Sequence, residues 1–211
     1  MYIVKAICSI ICIQAHRLGA ENLAFHREMM SKFIRREIYE ALGDDLGVFR
    51  VGLSMGADIW AAQVILKLRD TRFPHIQLHC YLPCETQANN WPEVWREPYF
   101  DVLAQADDVI CLQNHYSKGC THRRNQEMIA GAARLIALHD NVAEGGISQA
   151  VSYADLRGVE TVVIKPLEGP DVPAHESGRL IELGTAQSRS QVSSTYSARF
   201  SGGRSAIKRA W

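Results

Sequence analysis

What this chain lacks narrows its function first. It has no net charge: 23 Lys and Arg balance 23 Asp and Glu over 211 residues. No global field therefore draws it to nucleic acid or to an acidic membrane, and only a local patch could do so. It lacks a disulfide framework, because six cysteines in a chain this long are not the dense, small-domain pattern that oxidising compartments favour. It also lacks a long apolar run. The segment 7–13 is the most apolar near the start and falls far short of a membrane span. Lys5 is the only early positive charge and no small-residue cleavage site follows, so a buried first strand is expected rather than a signal peptide. A cytoplasmic protein with no membrane partner is the resulting expectation.

Cys8, Cys12, Cys80 and Cys111 fall in apolar runs, where a free cysteine behaves as a small hydrophobe. The Cys8/Cys12 and Cys80/Cys84 pairs share an i, i+4 spacing. Structural zinc sites draw such pairs from tight knuckles rather than sheet interiors, so no metal is expected.

What is present is a 47% hydrophobic chain with alternating strand and helix signals. Apolar runs at 3–14, 48–51, 76–82, 109–112, 135–138 and 161–164 read as six strands. Helical patterns fill the intervals at 23–42, 57–69, 93–106, 121–133 and 144–156, with Pro98 expected to kink or interrupt the third. This alternation predicts an α/β, Rossmann-like three-layer sandwich with a mainly parallel sheet. Residues 1–167 form the domain, and the Ser-, Gly- and Arg-rich stretch 168–211 reads as a flexible tail.

Residues 51–63 hold the most informative local pattern. A β-branched strand end is followed by Gly52, a turn, Gly56 and a helix start bearing Asp58. Such a βα turn opens at the carboxyl edge of the sheet, where free N–H groups and the helix dipole favour an anion. The other loops at that edge contribute His16 and Arg17; Pro83, Glu85, Gln87 and Trp91; Gly119, Arg124 and Asn125; and Asp140, Gly145 and Gly146. Together they offer phosphate-compatible backbone, cationic donors, carboxylates for a ribose and an aromatic face for a base.

At these residues the sequence resembles the YpsA-like family of the SLOG superfamily, over roughly 16–166. That Rossmann-like group includes the single-strand DNA-binding mediator DprA and the LOG phosphoribohydrolases. The Gly-x-x-x-Gly-x-Asp-x-Trp-Ala-Ala pattern falls on 52–62, and Pro-x-Glu-x-Gln-x-x-x-Trp on Pro83, Glu85, Gln87 and Trp91. Tyr-x-x-Gly-Cys-x-x-x-Arg-Asn-x-x-Met falls on 116–128, and the Asp-x-x-x-Gly-Gly pattern is kept one residue longer at Asp140, Gly145 and Gly146. The resemblance implies a nucleotide or nucleotide-derived ligand, with Trp60 and Gln63 joining the site and self-association of the domain.

Departures from the family pattern concern chemistry. Gln14-Ala15-His16-Arg17-Leu18 stands where Thr-Gly-His-Arg-Pro is usual, and Gln63 where a glutamate is usual. The run 130–133 replaces acidic residues, and 145–149 lacks the glutamate of the LOG Gly-Gly-x-Gly-Thr-x-x-Glu motif. Departure of a base from ribose needs an acid/base pair or a charge opposite the oxocarbenium. The expectation is therefore a binding domain acting as a sensor or regulatory module. The alternative is a hydrolase of the N-glycosidic or phosphoribosyl bond, with Asp58, Glu85, His16 and Arg124 as catalytic candidates and Glu144 a further carboxylate. A DprA-like role on single-stranded DNA is weaker, because the balanced charge offers no basic track.

Overall fold

β-Branched and apolar segments pair into one parallel sheet. The computed structural model describes residues 6–12, 23–139 and 142–165, together with the backbone of 179–180. The strands are β1 (Ala6–Ile11), β2 (Leu46–Val51), β3 (Gln77–Leu82), β4 (Asp108–Cys111), β5 (Arg134–Leu138), β6 (Glu160–Ile164) and β7 (Arg179–Leu180). Their order is β4-β3-β2-β1-β5-β6-β7, and every pairing is parallel. The helices are α1 (Leu23–Gly43), α2 (Ala57–Thr71), α3 (Glu93–Gln105), α4 (Cys120–Ile129) and α5 (Gly146–Leu156).

The order of the strands decides where the helices lie. From β1 the chain steps outward through β2 and β3 to β4, then returns across the sheet to β5. Right-handed crossovers therefore place α1, α2 and α3 on one face and α4 and α5 on the other. The central strands are covered on both faces, which is why they read as near-continuous apolar runs: Cys8, Ile10, Phe49, Val51, Leu135 and Ile136 are fully buried. Burial pushes the Cys8 thiol up to about 12, so this cysteine is packing material. The crossovers diverge between β1 and β5, and the crevice above their carboxyl ends is where open α/β sheets bind ligands.

Three local details differ from those expectations or add to them. Pro98 neither breaks nor ends α3, which is continuous from Glu93 to Gln105. The bond it forgoes belongs to the carbonyl of Val94, an exposed residue where water can replace it. α4 stops at Ile129 rather than running on to 133, because Gly131 adopts a left-handed conformation (φ 69°) just past the helix end. The two-residue β7 pairs with β6 inside the stretch read as tail. The rest of that stretch lies outside the described residues, as do His16, Arg17 and Asp140. No described helix is long and apolar enough to cross a membrane.

Candidate functional site

The turn between β2 and α2 is held by one carboxylate. Asp58 lies in the first turn of α2, is only 2% exposed, and spends both oxygens on backbone. Oδ1 accepts the N–H of Cys12 at the end of β1 (2.8 Å), and Oδ2 accepts the N–H of Ser54 in the turn (3.0 Å). One side chain thus ties the carboxyl ends of β1 and β2 to the start of α2. Burial pushes its carboxyl up, against the pull of the Arg124 guanidinium and the two backbone donors.

Arg124 reaches the same turn from α4 on the opposite face of the sheet. Its side chain is 3% exposed. Nη2 donates to Ser54 Oγ (3.1 Å), Nη1 approaches the Tyr81 carbonyl (3.5 Å), and Nη1 lies 4.0 Å from Asp58 Oδ2. Burial pulls its pKa down while Asp58 pulls it back up. The guanidinium rests directly on Gly52, where any β-carbon would overlap it. The first glycine of the turn is thus required by an internal arginine. The next residue, Leu53, is fully buried at φ 51°, a conformation costing about 1–2 kcal/mol for a non-glycine residue. Its carbonyl accepts from Gln87 Nε2 (2.8 Å), which helps hold it there.

Among the described residues, several buried polar atoms toward this end of the sheet have no hydrogen-bond partner: Arg124 Nε, Asn125 Oδ1, Gln87 Oε1 and, in the first turn of α1, His26 Nδ1. Buried polar groups are almost always paired, so each of these exceptions marks unused hydrogen-bonding capacity. His26 and Leu53 escaped the sequence reading. Nothing separates an inward-facing helical histidine from a core residue by spacing, and positive φ at a leucine leaves no sequence mark. Ser54 escaped as well, although it is the one hydroxyl inside the glycine turn.

The β3–α3 loop carries the next group. Pro83 is buried, Glu85 is exposed, and Gln87 bridges back to the β2 turn. Trp91 stacks edge-on against the buried ring of Tyr99 (5.2 Å) and so anchors the loop. Trp60 and Gln63 point elsewhere. Trp60 packs on Trp95 (5.9 Å) and Gln63 accepts from Arg27 (3.1 Å). Both line a groove of about 590 Å³ between α1, α2 and α3, which Trp91 does not border. These three residues do not share one cleft.

At the other wall, Gly119 begins α4 in a left-handed conformation (φ 83°). The loop before it is organised by Gln113, whose Nε2 donates to the His115 carbonyl and Ser117 Oγ and whose Oε1 accepts from Arg123. Gly145 caps α5 and lies close to Val142, while a β-carbon on Gly146 would meet nothing within 4 Å. Ser148 staples this turn, donating to the Val142 carbonyl (2.6 Å) and accepting from His139 Nε2 (2.7 Å). Among the described residues no three His, Cys, Asp or Glu come close enough together to hold a metal ion.

A doubly wound parallel sheet with glycine turns at its carboxyl edge defines a Rossmann-like α/β domain. Its wider shape is similar to DNA processing protein A from Helicobacter pylori, a single-stranded DNA-binding protein. That match has a TM-score of 0.52 and 17% identity, covering 75% of this chain and 65% of that one, and it shows the fold alone. Residues 16–164 match the YpsA family, described as the YspA SLOG family, and the chain belongs to it. Relatives include the UPF0398 protein BH1768 of Halalkalibacterium halodurans, 29% identical over 148 residues, covering 68% of this chain and 77% of the relative. The UPF0398 protein ABC2016 of Shouchella clausii is 32% identical over 93 residues, covering 43% of this chain and 50% of the relative.

Proposed function

We propose that this protein binds a nucleotide or nucleotide derivative at the carboxyl edge of its sheet and acts as a sensor or regulatory domain of the cytoplasm. The observation that carries the reading is Arg124: a buried guanidinium fixed over Gly52, whose Nε has no hydrogen-bond partner among the described residues. A desolvated cation behind the turn lends positive potential to the space in front of it, which favours an anionic ligand there. The phosphate lies between this turn and Gly145–Gly146, at the start of α5, with Arg17 as a further counter-ion. Asp58 positions the turn rather than touching ribose, since both its oxygens are engaged. Exposed Glu85 takes the ribose hydroxyls, and Trp91 bounds the base side through its loop.

Calorimetric titration with AMP, ADP-ribose, NAD and cyclic dinucleotides tests the reading. Saturable heat with one of them supports it. No heat from any of them, with folded protein, overturns it.

The exposure of Glu85 and Glu144 favours a second reading, hydrolysis of the N-glycosidic or phosphoribosyl bond. Release of free base, seen by chromatography and abolished in Glu85→Gln, would establish it. Unchanged release in that variant would remove Glu85 from the mechanism. Single-strand DNA binding gains no support from a chain of zero net charge.

A further inference from the structure

β4 is the last strand on its side of the sheet, and among the described residues nothing pairs with its outer edge. Leu112 donates its N–H inward to the Leu82 carbonyl (3.0 Å). By the two-residue period of a strand, Val109 and Cys111 then turn their N–H and C=O groups outward. Natural edge strands are blunted by being very short, by charged side chains, especially lysine, and by proline or a bulge, and of these β4 has only its shortness and Asp108. Residues 108–112 contain neither lysine nor proline. Val109 is 43% exposed, and its N–H is covered only by the neighbouring Asp108 Oδ1 (2.9 Å).

We propose that two copies of this chain pair antiparallel through β4, joining their sheets into one. The outward residues fix the register. With a two-fold axis through Ile110, Val109 of each copy faces Cys111 of the other, and each such pair exchanges two N–H···O=C bonds. A register shifted toward the strand's end is disfavoured, because the Gln113 carbonyl already accepts the Glu85 N–H (3.1 Å) and is turned inward. Charge selects a second copy over an arbitrary strand. The acidic Asp108 opens β4, Asp107 before it being already engaged by Arg69 (3.0 Å) and the Leu78 N–H (2.8 Å), while Arg123, bonded to the Gln113 side chain, stands at the strand's far end. Antiparallel self-pairing sets each acidic start beside the partner's arginine, whereas parallel pairing would set like beside like.

This inference stands apart from the nucleotide reading, and its test needs no ligand. Light scattering on the full chain should give twice the 23.6 kDa monomer mass. Val109→Pro removes an N–H that β3 does not use, so it should return the protein to monomer with an unchanged circular dichroism spectrum. Independently, Cys111 is the one exposed cysteine among the described residues. In this register the two Cys111 positions are diagonal neighbours about 7–8 Å apart. A short bis-maleimide should therefore yield a covalent dimer of the native chain, lost in Cys111→Ser. A monomer at every concentration, or a dimer that forms no Cys111 cross-link, would overturn the proposal, as would a dimer that a folded Val109→Pro variant leaves intact.

Discussion

Two turns at the carboxyl edge carry glycines, and they carry them for opposite reasons. At Gly52 the missing side chain is occupied from within, by the Arg124 guanidinium, so the turn after β2 is a closed, internally bonded wall. At Gly146 a β-carbon would meet nothing within 4 Å, and φ there is not in the left-handed region, so neither packing nor backbone requires glycine. The lesson is that a glycine before a helix can signal an arginine behind it as readily as a phosphate in front of it. The closed wall holds the site's shape; the open one has room for a ligand.

That contrast can be broken most severely at Gly52. Gly52→Ala must displace Arg124 and strand it in the interior, at a cost of about 3–5 kcal/mol, read from urea unfolding. Asp58→Ala should cost nearly as much, about 3 kcal/mol, because it orphans the N–H groups of Cys12 and Ser54 along with the arginine. Should either variant unfold with wild-type stability, the closed wall is not what holds this edge.

Asp58 also gives the contrast a pH signature. Its folded carboxyl is raised above the ordinary 3.8, mainly by burial, so the folded state holds this proton more tightly than the unfolded one. The associated stability is fully present below 3.8 and is lost as pH rises through the raised value. Relative to Asp58→Asn, which cannot titrate, the native chain should lose stability across that upward window; parallel curves would contradict the assignment. Gln87→Ala removes the bond that steadies Leu53 at positive φ and should cost about 1–1.5 kcal/mol. At the open wall, Gly146→Asp should change stability by less than about 0.5 kcal/mol, an acid at a helix N-terminus being tolerated or favoured.

Most of the fold was legible because period and punctuation report it. The six principal strands and five helices lie where the apolar runs and the helical patterns between them place them. What escaped was direction. Spacing puts Asp58, Trp60 and Gln63 on α2 but does not say that Asp58 turns into the β1–β2 junction while Trp60 and Gln63 turn toward Trp95 and Arg27. Arg124 was visible as a site residue, yet its seat on Gly52 joins positions 72 apart in sequence, which only the crossover from β4 to β5 brings together. β7 escaped because two residues carry no period.

The central claim is that the edge between these two walls takes a nucleotide-like anion. Its most direct test is paired calorimetry of the native chain and Gly146→Asp against AMP, ADP-ribose, NAD and cyclic dinucleotides. The account predicts saturable heat for the native chain with one of them, and its loss in a variant of equal stability, because the new carboxylate repels phosphate without disturbing the fold. Absence of heat with the native chain, or equal heats in both proteins, would contradict it.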